Sequence, residues 1–162
     1  MASRLVLNFL TVVIVLFSAA GARAQMPNPY GPPISLENAK KAAEPALAEA
    51  RKNNWTMAVA IVDPNGTLVY YEKIDNTMNA SAQVAINKAR SAAIYKRPGK
   101  VFQAALAAGG EGLRILALEG AVPVEGGYPI VIDGKIVGAI GLSGGTSAQD
   151  DQCSKVGADV FK

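Results

Sequence analysis

Two hairpin signals set among alanine-rich helical stretches predict an α+β domain with a mainly antiparallel sheet and helices packed on it. The first is Asp63-Pro64-Asn65-Gly66, a strong turn between two strand-like runs. The second is Asp133-Gly134, between PIVID and KIVGAIGL. The third observation is the order of elements: helix, hairpin, two helices, hairpin, helix.

The elements follow in turn. Residues 1–24 read as a secretory signal peptide: Arg4 is the positive start, Leu5 to Phe17 is an almost unbroken apolar run, and Ala22-Arg23-Ala24 is an A-x-A cleavage pattern. The run is shorter than the roughly 20 residues a membrane span needs. The rival reading is an uncleaved N-terminal anchor, and no cysteine stands near the junction to support a lipoprotein. After cleavage no stable membrane span is expected, and the protein is placed in the periplasm or outside the cell. Residues 25–33, QMPNPYGPP, form a Pro-rich leader, and 34–162 form a single domain. Ser35 is a helix cap for Leu36 to Asn53, where apolar residues recur at three and four; Pro45 should kink that helix or delay its start. Trp55 to Asp63 is a strand with little alternation, which predicts cover on both faces. Thr67 to Ile74 returns beside it, and Asp75 to Ala80 is a polar loop. Ser81 to Lys96 is an alanine-rich helix stopped by Arg97-Pro98-Gly99, and Val101 to Ala108 is a short helix ended by Gly109-Gly110. Glu111 to Leu118 is ambiguous. Glu119 to Pro129 is an irregular loop before the second hairpin, and Ser147 to Phe161 is a terminal helix.

Composition excludes several chemistries. The chain has no histidine and one cysteine, Cys153, so HExxH zinc sites, Ser-His-Asp triads and clustered cysteine zinc sites are all out. No metal site is expected. Cys153 is either buried and inert or available for an intermolecular bond. The chain carries 16 basic and 13 acidic residues; losing Arg4 and Arg23 with the signal leaves 14 basic residues, a net of +1. With no basic cluster interleaved with aromatics, no nucleic-acid partner is expected.

Three blocks in order resemble a known family: AIVDPNGTLVYYEKIDN, then AINKARSAAIYKRP with its Lys88-Ala89 and Ala92, then GGYPIVIDGKIVGAIGLSGGTSAQDDQ. Across about Ile34 to Phe161 the chain is similar to the GlcG/HbpS haem-binding family, which also includes the C-terminal domain of PduO-type proteins. The resemblance implies a profilin-like antiparallel sheet of about five strands with helices packed on it, a homo-oligomer, and haem or a related tetrapyrrole as ligand. Characterised members ligate haem with histidine. Here the possible iron ligands are Tyr70, Tyr71, Met78, Tyr95 and Cys153. Lys73-Ile74 stands before Asp75 where members often have Arg-Met.

The candidate site residues carry competing readings. In GAIGLSGGTSAQDDQ, Ser143, Gly144, Gly145 and Thr146 can cradle a carboxylate with backbone N–H groups and hydroxyls. They can equally be a turn and a helix cap, with Thr146 and Gln149, or Ser147 and Asp150, as a capping box. Lys88, flanked by small residues, is either a partly buried base or a solvated lysine. Lys88 matches the family's lysine position. Asp75 is a pocket-mouth acid or a turn residue. Glu125 opens a Gly-rich entry to a strand, and Tyr128 and Tyr95 can wall a flat ligand. Two functions follow. The first is an exported small-molecule-binding protein, holding haem or a similar flat carboxylate-bearing ligand. The alternative is a cofactor-independent lyase or isomerase that acts on a small organic or aromatic acid through Lys88, Asp75 and Glu125. A third reading is a structural or sensor-accessory oligomer with no ligand.

Overall fold

The computed structural model describes residues 27–162. The signal peptide expected over 1–24, with its cleavage after Ala24, lies outside the described residues.

Ser35 accepts a hydrogen bond from the Asn38 N–H at 3.2 Å and opens α1, Leu36–Lys52. Pro45 neither delays that start nor ends the helix. Ala39, Ala42, Ala43, Ala46, Leu47 and Ala50 are buried along one side of it, and that burial outweighs the single backbone bond a proline removes. The Asp63 carboxylate accepts from the N–H groups of Asn65 at 2.8 Å and Thr67 at 2.9 Å, which closes the turn between β1, Ala58–Val62, and β2, Leu68–Lys73. Next come α2, Ser81–Ile94, and α3, Gly99–Ala107. The ambiguous stretch is a 3-10 helix, Gly110–Ala117. The second hairpin joins β3, Gly127–Ile132, to β4, Lys135–Ser143, through Asp133 and Gly134, which both have positive φ as a tight Asp-Gly turn requires. Helix α4, Ser147–Ala158, runs into a short 3-10 turn, Asp159–Phe161.

The sheet corrects one expectation. Among the described residues it has four antiparallel strands in the order β2-β1-β4-β3, not about five. The four are those the two hairpins supply. The Pro-rich segment adds only a single parallel bridge, Tyr30 to Ile136, because Pro29, Pro32 and Pro33 have no N–H for a ladder.

Both faces of β1 are covered, as its unbroken apolar run predicted. Met57, Val59 and Ile61 enter a core shared with α1 and α4. Ala58, Ala60 and Val62 meet Ala85, Ala89, Ala92 and Ala93 of α2. On that second face the backbones lie very close. A Cβ added to Gly141 of β4 would sit 2.2 Å from the Ala85 carbonyl oxygen and 2.6 Å from the Ala89 nitrogen. Helix α2 packs on β1, β4 and β3. Edge strand β2 keeps Leu68 and Tyr71 exposed on the same side, opposite Val62 and Ala60 of β1. Among the described residues no helix is long and apolar enough to cross a membrane.

Candidate functional site

The glycine-rich loop after β4 already holds an anion, and the chain supplies it. Asp150, in the first turn of α4, accepts from the Gly145 N–H at 3.0 Å and from the Lys88 ammonium at 2.6 Å. The side chains of Lys88 and Asp150 are only 2% and 4% exposed. Burial pushes the Asp150 carboxyl above its ordinary value, opposed by Lys88 and by the Gly145 and Gly144 N–H groups. Thr146 caps α4: its hydroxyl accepts from the Gln149 N–H, and its own N–H donates to the Gln149 side chain at 2.8 Å, a capping box. The Gly144, Gly145 and Thr146 N–H groups are therefore used within the fold. Ser143 is buried at the end of β4, while Gly145 and Thr146 are exposed.

Around this pair the chain is drawn tight by Gly126 and Gly127. A Cβ on Gly126 would lie 2.7 Å from Asp150 Cβ and 3.0 Å from Lys88 Nζ, and one on Gly127 would lie 2.5 Å from the Lys88 carbonyl oxygen. Gly126 also has φ +102°, and its carbonyl accepts from the Ser154 hydroxyl at 2.8 Å. Here the Gly-rich entry to β3 serves close packing. Next to it, Tyr128 donates to Asp151 at 2.8 Å, and Lys100 stands 3.4 Å from the same carboxylate oxygen. Burial, reinforced by the Asp151 bond, pushes the Tyr128 hydroxyl up to about 12.

Asp75 is not gathered with the other two residues of the acid–base reading: Glu125 adjoins Gly126, which packs on Lys88. Lys88 bonds to Asp150. Asp75 is exposed just after β2, at one edge of the sheet, and Glu125 is half-buried just before β3, at the other. Three strand spacings, about 14 Å, separate those edges.

The possible iron ligands also separate. Tyr70 donates to Glu72 at 2.6 Å and Tyr95 to the Glu119 carbonyl at 2.6 Å. Cys153 is fully buried, with its thiol pushed up to about 12 by burial first and then by the charges of Glu49 and Asp150. Tyr71, 36% exposed, and Met78, 63% exposed, have no side-chain hydrogen-bond partner among the described residues. Tyr71 lies on the open strip of β2, and Met78 stands in the loop from β2 to α2.

A cleft of about 540 Å³ opens on the outer side of α2. Asn87, Arg90 and Ile94 form its floor, three residues at helical spacing on the stripe turned away from Ala85, Ala89 and Ala92. The Asn65–Thr67 turn makes one wall and the Gly120–Val122 loop the other.

Sequence reasoning named Lys88 but missed its partner Asp150, 62 residues away. Its signal was present: a lysine amid alanines needs a counter-ion, and the adjacent acids of α4 were available. Arg90, Asn87 and Asn65 were missed as cleft residues because their roles depend on where a distant loop lands.

The family model for "Haem degrading protein HbpS-like" matches residues 34–159. Protein GlcG of Escherichia coli K12 is 38% identical over 95 residues, which is 59% of this chain and 69% of that protein. A crystal structure of HbpS is 28% identical with a TM-score of 0.74, covering 82% of this chain and 92% of that one. The crystal structure of a PduOC–haem complex shares the fold at 23% identity and a TM-score of 0.71, covering 80% and 96%.

Proposed function

The chain belongs to the HbpS-like family, and on that premise we propose that it is an exported protein that binds haem, or a similarly flat carboxylate-bearing molecule, without a histidine ligand. The PduOC relative is a haem complex. The observation that carries the reading to this chain is the pair Tyr71 and Met78. They are the two of the five possible iron ligands that are exposed and not engaged by a neighbour, and both residue types serve as axial ligands of haem iron. Tyr71 shares with Leu68 the strip of β2 that α2 leaves open, and Met78 stands in the loop that follows β2. Bound there, haem would supply the iron and the flat apolar face; Tyr71 or Met78 would hold the iron, and Leu68 would pack on the ring.

The test is a haem titration of the protein, read by absorption, with intact mass checking cleavage after Ala24. A saturable Soret shift is expected in the parent, and its loss or displacement in Met78→Ala or in Tyr71→Phe. No shift at any haem ratio sinks the haem reading. A shift unchanged in both variants sinks the ligand assignment.

The family resemblance also supports a homo-oligomer. Val101, Leu113, Leu116 and Leu118 leave apolar side chains exposed around α3 and the 3-10 helix that follows, Leu116 at 69%. Sedimentation should give a multiple of the chain mass; a monomer across the micromolar range would count against this.

A further inference from the structure

We infer that the cleft on the outer side of α2 is a binding site for a small monocarboxylate with a compact apolar body, with Arg90 as the carboxylate anchor and Asn87 beside it. The site is built before any ligand arrives. Arg90 Nε donates to the Gly66 carbonyl at 2.9 Å, which fixes the guanidinium at the edge of the first hairpin turn. Arg90 makes no ion pair among the described residues, so its terminal N–H groups remain for a planar acceptor. A guanidinium fork matches a carboxylate in just this way. Asn87 accepts from the Gln83 amide through Oδ1 at 2.9 Å, which leaves its own NH2 as a donor toward the same region.

The walls are pinned to the same helix. The Ser91 hydroxyl accepts from the Val122 N–H at 3.0 Å, and the Tyr95 hydroxyl donates to the Glu119 carbonyl at 2.6 Å, so the second wall is tied to α2 and, beside it, to the residue that caps the end of α2. The turn on the other side is held rigid by the Asp63 carboxylate. Each wall presents a glycine. Gly66 has φ +84° and lies over the Arg90 stem; Gly120 has φ +74° and lies over Ile94. Neither brings a side chain into the space, which leaves room between the walls. Ile94, 40% exposed, and Val122 offer the apolar contact. The volume, about 540 Å³, falls within the range of small-molecule pockets.

The inference rests on the small-molecule-binding reading but not on haem. Benzoate is the probe, with benzyl alcohol as its neutral counterpart, added to the isotope-labelled protein and followed by amide NMR. Benzoate should move the amides of Asn65, Gly66, Thr67 and Gly120 to Val122 saturably, and benzyl alcohol should bind at least tenfold more weakly. Arg90→Gln should weaken benzoate about tenfold to a hundredfold. Because Arg90 also holds the turn, Asn87→Asp is the second variant: it keeps the Oδ1 acceptor, adds a like charge, and should weaken benzoate without weakening benzyl alcohol. The inference is overturned if benzoate moves amides elsewhere, if both probes bind equally, or if neither variant changes the titration. A benzoate site without a Soret shift removes the haem reading and keeps this one; a Soret shift with no benzoate response does the reverse.

Discussion

Lys88→Met is expected to lose about 3–5 kcal/mol of folding stability, the usual result of removing one partner of a buried ion pair. Methionine fills much of the lysine's volume, so the loss comes from Asp150, left with a carboxylate oxygen that has neither a cation nor water. For a domain of this size that corresponds to a fall in melting temperature of about 10–20 °C. Urea unfolding measures it: the midpoint should drop with the slope unchanged. The double variant Lys88→Met with Asp150→Leu should recover part of the loss, because no charge is then stranded. A single variant as stable as the parent would mean that the pair is not formed in solution. The pair also bears on the acid–base reading. An ammonium bonded to Asp150 has no lone pair with which to take a proton from a substrate, so catalysis by Lys88 would first require the pair to open.

Gly141→Ala is expected to cost about 3 kcal/mol, the upper part of the range for overpacking a close-packed interior. The added methyl group would meet the backbone of Ala85 and Ala89, at 2.2 and 2.6 Å. Neither atom belongs to a flexible side chain, so relief requires α2 to move off the sheet as a body. Thermal unfolding should show the drop directly. A melting temperature within a degree or two of the parent would mean that α2 rides higher on the sheet than described.

Much of the fold was legible because its signals are local. Asp63-Pro64-Asn65-Gly66 and Asp133-Gly134 dictate their turns by backbone preference, and Ser35 and Thr146 cap their helices with their own hydroxyls. The missing alternation of β1 predicted, from sequence alone, that both of its faces are covered. Glu111 to Leu118 stayed ambiguous because a 3-10 helix repeats at three, a period that neither the helical nor the strand pattern isolates. The site was less legible for a different reason. Periodicity tells which side of α2 is apolar, and it marked Lys88 as out of place there. It says nothing of which distant group arrives, so it could not bring Asp150 to Lys88 or set Arg90 beside the Gly120–Val122 loop.

The two borders of the sheet carry a consequence for how copies of this domain can meet. On one side β2 ends in Tyr71, Glu72 and Lys73, with Glu72 bonded to Arg51 of α1 at 2.9 Å. On the other, β3 contains Pro129, which has no N–H to offer an incoming chain. Charge on one rim and proline on the other make each a poor template for strand addition, the route by which open sheets grow into fibrils. A second copy would then have to meet this domain through side-chain contacts between helical surfaces, which close into finite particles more readily than a sheet extended strand by strand.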